Sequence, residues 1–177
     1  MPDPAGKGIY FVSGRQSSVL TVYHIPTKQS FDLVAEDATN PVLSLDGRRV
    51  AYVVLTGSEN QELWVSDTDG KNRIKLATAA ALGALDFSPD GSQFLFNDAE
   101  KGRLRLYVVK TDGSGLHQIP WSGTYIRWGT WGRDTRTFYL SGNENDPKKE
   151  IIWKVAADGS RGLSRGLRSA DGCFARW

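Results

Sequence analysis

From Gly83 to Phe96 the chain reads GALDFSPDGSQFLF. An apolar run ends on Phe87, a Ser88-Pro89-Asp90-Gly91 turn follows, and an aromatic run resumes at Phe94. Asp-Gly is a strong turn dipeptide, because glycine tolerates positive φ and the Asp side chain caps the turn. The stretch therefore predicts two β-strands joined by a tight hairpin. The same text occurs twice more, as NPVLSLDGRRVAYVV from Asn40 and WGTWGRDTRTFYLS from Trp128. Leu43, Phe87, Trp131 and Trp177 carry a large apolar residue at intervals of 44, 44 and 46. A period of this size marks a repeat architecture.

Working outward, each unit reads as four short strands. The first ends on the periodic residue. The second is rich in aromatic and β-branched residues, as in residues 50–55, 94–96 and 138–140, and residues 9–12 have the same character. The third carries its own mark, since Tyr23, Trp64, Tyr107 and Trp153 recur at intervals of 41, 43 and 46. Asp69-Gly70, Asp112-Gly113 and Asp158-Gly159 follow the last three marks and turn the chain into a short fourth strand such as 73–76 or 116–119. In the unit from Trp128 the matching pair is Asp134-Thr135, without the glycine of Asp-Gly, so a different turn shape is expected there. Residues 77–84, rich in alanine, read as the link between two units. No stretch sustains a helical period.

Regularly spaced strands with turns between them predict an all-β fold. A four-stranded unit repeated about every 44 residues is the blade of a β-propeller. About four four-stranded blades are expected, at 1–39, 40–82, 83–125 and 126–172, with 173–177 as the first strand of the next or closing blade. Either that strand completes the N-terminal blade and closes a four-bladed ring, or the chain is part of a larger propeller whose open edge another copy would pair. Blades pack face to face, so Trp64, Tyr107 and Trp153 are expected in the core.

Composition narrows the function. The 177 residues suffice for one domain with a sizeable core. Twenty-two basic against 20 acidic residues leave a net charge of +2, which gives no broad attraction to nucleic acid or to a membrane surface. The aromatics fall on core marks, not among exposed basic residues as single-strand binding needs. No run reaches the roughly 20 apolar residues of a spanning helix. The single Cys173 excludes an internal disulfide and most cysteine-based metal sites. Asp67-Thr68-Asp69-Gly70 echoes a calcium loop but lacks its twelfth-position Glu, so it reads as a hairpin turn. No metal or cofactor is expected. The two histidines, His24 and His117, fall on third and fourth strands of different units, and no Gly-x-Ser-x-Gly elbow is present. No catalytic residue is assigned.

Residues 87–94, with Leu106-Tyr107-Val108-Val109 and Lys110-Thr111-Asp112-Gly113, resemble the WD-repeat-like propeller unit of the TolB family. The unit from Asn40 fits with Leu45 in place of Pro89. The unit from Trp128 departs, with Gly132-Arg133-Asp134-Thr135 in place of Ser-Pro-Asp-Gly. The resemblance implies a bacterial propeller, usually six-bladed and periplasmic or otherwise extracytoplasmic. In that group the repeat also occurs in sensor propellers of bacterial Ser/Thr kinases and in propellers of prolyl-oligopeptidase-like peptidases. The shared residues are turn and packing chemistry, so the resemblance assigns no functional residue.

Binding positions come from the residues that break the repeat. Asp86, Thr130 and Arg176 each precede a periodic residue, with Val42 in the fourth place, and on a first strand they would lie near the central channel. Trp121, Tyr125 and Trp128 form an aromatic group outside the schedule, at the entry to one blade, where exposure would make a partner patch and burial between blades is the favoured expectation. Arg161, Arg165, Arg168 and Arg176 form a basic cluster that reads as a solvated face. The expected function is non-enzymatic binding of a protein or small ligand at loops or at the channel mouth. The alternative is a sensor or gating propeller of a larger enzyme.

Overall fold

The computed structural model describes residues 8–15, 17–34, 37–57, 59–121, 123, 125–143, 151–160 and 164–168. Arg161, Arg176, Trp177 and the strand expected at 173–177 lie outside these residues. Those described form fifteen β-strands in four antiparallel sheets. Sheet one runs β1 (Gly8–Arg15), β2 (Ser17–His24), β3 (Gln29–Val34). Sheet two runs β4 (Ala38–Leu43), β5 (Arg49–Leu55), β6 (Gln61–Asp67), β7 (Ile74–Ala79). Sheet three runs β8 (Leu82–Phe87), β9 (Gln93–Glu100), β10 (Arg103–Lys110), β11 (His117–Ile119). Sheet four runs β12 (Tyr125–Trp131), β13 (Thr137–Asn143), β14 (Ile151–Ala156), β15 (Ser164–Arg168). Among the described residues no helix is long and apolar enough to cross a membrane.

The sheets are blades. Leu43, Phe87 and Trp131 each end a first strand, Trp64, Tyr107 and Trp153 each sit on a third, and Tyr23 sits on the middle strand of the three-stranded sheet one. First strand packs beside first strand, β4 against β8 and β8 against β12, while β2 approaches β4. Alternate side chains of a strand point to opposite faces, and here both faces of the middle blades are covered. Val50, Ala51, Tyr52, Val53 and Val54 are all buried, as are Phe94, Leu95 and Phe96. One apolar cluster fills each gap. Leu20, Leu43 and Tyr52 lie between sheets one and two. Phe87, Phe94 and Val53 lie between two and three. Leu95, Phe138 and Trp153 lie between three and four. On the far side of sheet four the pattern alternates instead: Trp153 and Val155 are buried while Lys154 is exposed.

Three sequence expectations are corrected. The alanine-rich 77–84 stretch is mostly strand, because Ala77 and Ala79 pair with Leu63 and Gln61 at the end of β7, and β8 already starts at Leu82. Trp64 and Tyr107 are half-buried, unlike Trp153, which is 2% exposed. The Arg73 guanidinium lies 4.8 Å from the Trp64 ring centroid, and Glu62 accepts a 2.9 Å hydrogen bond from its indole N–H. Tyr107 stacks on Phe96 at 5.3 Å. These rings close the outer ends of their gaps, with polar neighbours at the solvent margin.

The third correction concerns the turn in which Thr135 replaces the glycine of Asp-Gly. Gly47 and Gly91 adopt φ of 69°, and their amides donate to the Ser44 and Ser88 carbonyls at 2.9 and 2.8 Å. Thr135 takes the same left-handed conformation, φ 56°, and its amide donates to the Gly132 carbonyl at 3.3 Å. The shape is kept and the chemistry is rearranged. Ser44 and Ser88 each donate a hydroxyl to the turn aspartate, at 2.7 and 2.6 Å. In the last turn Thr137 supplies that hydroxyl, 2.9 Å from Asp134 Oδ1. A Cβ on Gly132 would come within 2.8 Å of it, which explains glycine where the other turns have serine. A β-branched residue at positive φ is strained by about 1–2 kcal/mol. Thr135→Gly is expected to raise stability by about 1 kcal/mol, after the extra freedom glycine gives the unfolded chain is subtracted. Urea unfolding would read this as a higher midpoint at unchanged slope; an unchanged or lower midpoint would show that the turn carries no such strain.

Candidate functional site

The sequence-derived channel positions separate into a linked pair and an undescribed residue. A register shift in the β8–β9 pairing between Ala84 and Asp86 re-aims the end of the first strand, as bulges do. The Asp86 carboxylate thereby reaches the neighbouring blade. Its Oδ2 accepts hydrogen bonds from the Trp131 amide and the Thr130 hydroxyl, both at 2.9 Å. The Asp86 carbonyl accepts from the Trp131 indole N–H at 3.2 Å. No ladder joins first strands of adjacent blades, so these bonds tie β8 to β12. In sheet two the equivalent Val42 packs into the apolar gap instead. Burial pushes the Asp86 carboxyl above the usual carboxylate range, against the opposing pull of its bonds to Trp131 and Thr130. Arg176, the third of these positions, is outside the described residues.

The aromatic group divides by burial. Trp121 packs edge-on to Trp153, 4.9 Å between ring centroids, against the core between sheets three and four. Its indole nitrogen is buried without a hydrogen-bond partner among the described residues. Gly123 lies so close that a Cβ there would meet the Trp121 ring at 2.3 Å. Trp128 is half-buried, and Tyr125 is 50% exposed. Trp121 is thus drawn into the blade gap while Tyr125 faces solvent.

The histidines serve turns. His24 Nδ1 lies 2.7 Å from the Thr27 hydroxyl. His117 lies between two carbonyls, Gly115 through Nδ1 and Ala157 through Nε2, each at 2.9 Å, and the second joins sheet three to the turn after β14. The calcium-like text at Asp67 is a turn: Asp69 accepts from the Lys71 amide at 3.0 Å and Asp67 from the Asn72 side chain at 2.6 Å. Among the described residues no group of three His, Cys, Asp or Glu could hold a metal.

The cavity lies elsewhere, at the turn end of the gap between sheets two and three. It measures about 570 Å³, and a smaller one of about 250 Å³ shares Arg49, Asp67, Ile74 and Thr111 with it. Its walls are the two turns of each blade, held together by a repeated tie. The amides of Thr68 and Thr111 donate to the carbonyls of Arg48 and Ser92, each at 3.0 Å, and their hydroxyls to those of Gly47 and Gly91 at 3.2 and 3.1 Å. Arg49 crosses the gap, its guanidinium donating to the Thr111 hydroxyl. Asp46 and Asp90 line the cavity, and the Ser44 and Ser88 hydroxyls hold their carboxyls below the usual range. Asp112, also lining it, is held low by Ser114. Sequence reading missed Arg49 and Thr111. The only local signal was Arg49 at the start of the second strand, where the next units have Gln93 and Thr137.

Four antiparallel sheets packed face to face, with first strands innermost, define a β-propeller architecture. No protein-family model matches the chain. The curated protein "Tol-Pal system protein TolB" of Bordetella pertussis is 33% identical over 102 residues, 57% of this chain and 22% of that protein. The matched segment thus spans about a fifth of the length of the curated relatives. A structure assigned to TolB of Agrobacterium tumefaciens superposes with a TM-score of 0.76 at 15% identity, over 94% of this chain and 63% of that one. The tricorn protease structure superposes with a TM-score of 0.74 at 11% identity, over 94% of this chain and 22% of that one. The repeats are TolB-like, and the four sheets superpose on part of the longer chains of these structures.

The raised Asp86 carboxyl has a thermodynamic consequence. A group that holds its proton more tightly folded than unfolded lowers stability as pH rises from its unfolded value through its folded one. Ionised Asp86 therefore works against folding near neutrality, and acidification toward pH 4 relieves this. Asp86→Asn keeps the acceptor oxygen without the charge. It is expected to be at least as stable as the parent at neutral pH, with its advantage shrinking as pH falls. Urea titrations across that range measure the difference; an advantage that grows on acidification would contradict the assignment.

Proposed function

We propose that this chain is a non-enzymatic binding module, presenting the turn-end cleft between sheets two and three, together with neighbouring loops, to a protein or small ligand. The observation that carries this reading is the cleft. Its volume lies within the range of ligand sites, about 300–1,000 Å³. Its walls are turns already locked by hydrogen bonds, so a ligand would order little on binding. Within this reading Tyr125 contributes exposed aromatic area at a second rim. We assign Asp86 and Thr130 the role of linking blades. Resemblance to TolB repeats, and relatives named for the Tol-Pal system, favour a protein partner and a periplasmic or other extracytoplasmic setting.

A second reading is supported by the likeness to tricorn protease: the propeller as sensor or gate of a larger enzyme, a peptidase or a bacterial Ser/Thr kinase. A catalytic domain encoded in the same reading frame would favour it over a stand-alone module. The binding reading itself is tested by titrating a panel of short peptides into isotope-labelled protein. Amide shifts are expected to cluster on the turns at 44–49, 67–71, 88–93 and 110–114. If no peptide shifts these turns or the Tyr125 rim, the reading fails.

A further inference from the structure

The geometry points to Arg49 as the recognition group of the cleft, and to a carboxylate borne on a peptide as its ligand; this rests on the binding-module reading above. Arg49 is placed before any ligand arrives. Its amide donates to the Ser44 hydroxyl at 2.9 Å, and its carbonyl accepts from the Ser44 amide at 2.9 Å. Its guanidinium is anchored at one end by Thr111, a buried residue of the opposite blade. A guanidinium has five N–H donors in a planar fork. Among the described residues this one has a single neutral side-chain partner and pairs with no carboxylate.

The acids around it are differently placed. Asp46 accepts from the Ser44 hydroxyl and the Arg48 amide. Asp90 accepts from the Ser88 and Ser92 hydroxyls and the Ser92 amide. Asp112 accepts from the Ser114 amide, and Asp67, opposite Arg49 in the β5–β6 pairing, accepts from the Asn72 side chain. Each carboxylate serves its own turn, while the donors of Arg49 have capacity left over. The cleft therefore asks for an acceptor. Lys110 adds a further cation to the lining beside Arg48, which lies against Asp46, and Ile74 an apolar wall for the stem of the ligand.

Charge count decides between anions. The lining holds the acids Asp46, Asp67, Asp90 and Asp112 and the bases Arg48, Arg49 and Lys110. This slightly negative surround repels a phosphate dianion more than a monoanion. A planar carboxylate also matches the guanidinium fork in two parallel hydrogen bonds. The carboxylate could be an acidic side chain or a chain terminus, which share this chemistry.

The test uses the whole chain, isotope-labelled, and reads the Arg49 Nε–H and Thr111 amide signals. The probes are acetyl-Ala-Ala with a free terminus, acetyl-Ala-Glu-Ala-amide, acetyl-Ala-Gln-Ala-amide and inorganic phosphate. At least one carboxylate peptide is expected to shift both signals saturably at millimolar concentration, and which one does identifies the source. The Gln peptide and phosphate are expected to bind about tenfold more weakly or not at all. Arg49→Gln should lose at least about tenfold in affinity, and Arg49→Lys, which keeps the charge without the fork, should fall between. Unchanged thermal melting of both variants would show that the fold is intact. Equal binding of the Gln peptide in the cleft would overturn the carboxylate assignment and leave the binding module standing. Phosphate binding as tight as the carboxylates, or an unaffected Arg49→Gln, would likewise overturn it. Silence of every probe at every turn would overturn the carboxylate assignment, while the peptide panel and the Tyr125 rim decide the binding module.

Discussion

A sheet that is apolar on both faces cannot stand alone in water, and this constraint organises the molecule. In β5 every residue from Val50 to Val54 is buried. Burying a Val- or Phe-sized side chain contributes about 1.5–3 kcal/mol, so one uncovered face would forfeit several such terms. Sheets two and three must therefore each lie between neighbours. Within a sheet the inner mark packs edge-on to the facing aromatic of the second strand: Phe87 on Phe94 at 4.7 Å in sheet three, and Trp131 on Phe138 at 5.7 Å in sheet four. Aromatic pairs prefer this edge-to-face arrangement, and they add bulk to the two gaps that flank sheet three.

The turns follow from that stacking. Once strands are fixed by burial, the hairpin between first and second strands has little freedom, and the chain meets its demands with whatever residues it holds. Two units use Ser-x-Asp-Gly. The last uses Gly132, Asp134, Thr135 and Thr137 to make the same hydrogen-bonded shape. The aspartate is the common element, because its carboxylate caps backbone amides two residues on in all three turns, at 3.0–3.1 Å. Function in this frame belongs to what the stacking leaves uncovered. Paired blades enclose apolar residues along their length and part at the turns, where polar side chains stand on fixed backbone. The cleft around Arg49 is such a parting.

Most of the fold was legible before the structure. Strand order, the two series of marks and the turn dipeptides are local chemistry repeated in phase, and repetition lets weak signals reinforce one another. The misreadings have local causes as well. Alanine in 77–84 carries little strand preference, so the pairing of Ala77 with Leu63 had no signal. Threonine in place of glycine suggested a new turn, yet Thr135 was forced into the old one. Trp64 and Tyr107 sit in register with the buried Trp153, but their polar neighbours Arg73, Glu62 and Arg105 hold them at the solvent margin.

The candidate site was far less legible. Asp86 and Thr130 stood out as equivalent positions, yet the bond that makes them partners joins two blades. Arg49 and Thr111 are 62 residues apart and belong to different units, so no spacing rule relates them. By itself the sequence determined the repeat, the strands and the tight turns, because each depends on residues a few positions apart. Only the tertiary structure decided which side chains meet across a gap, because that depends on how one blade sits against the next.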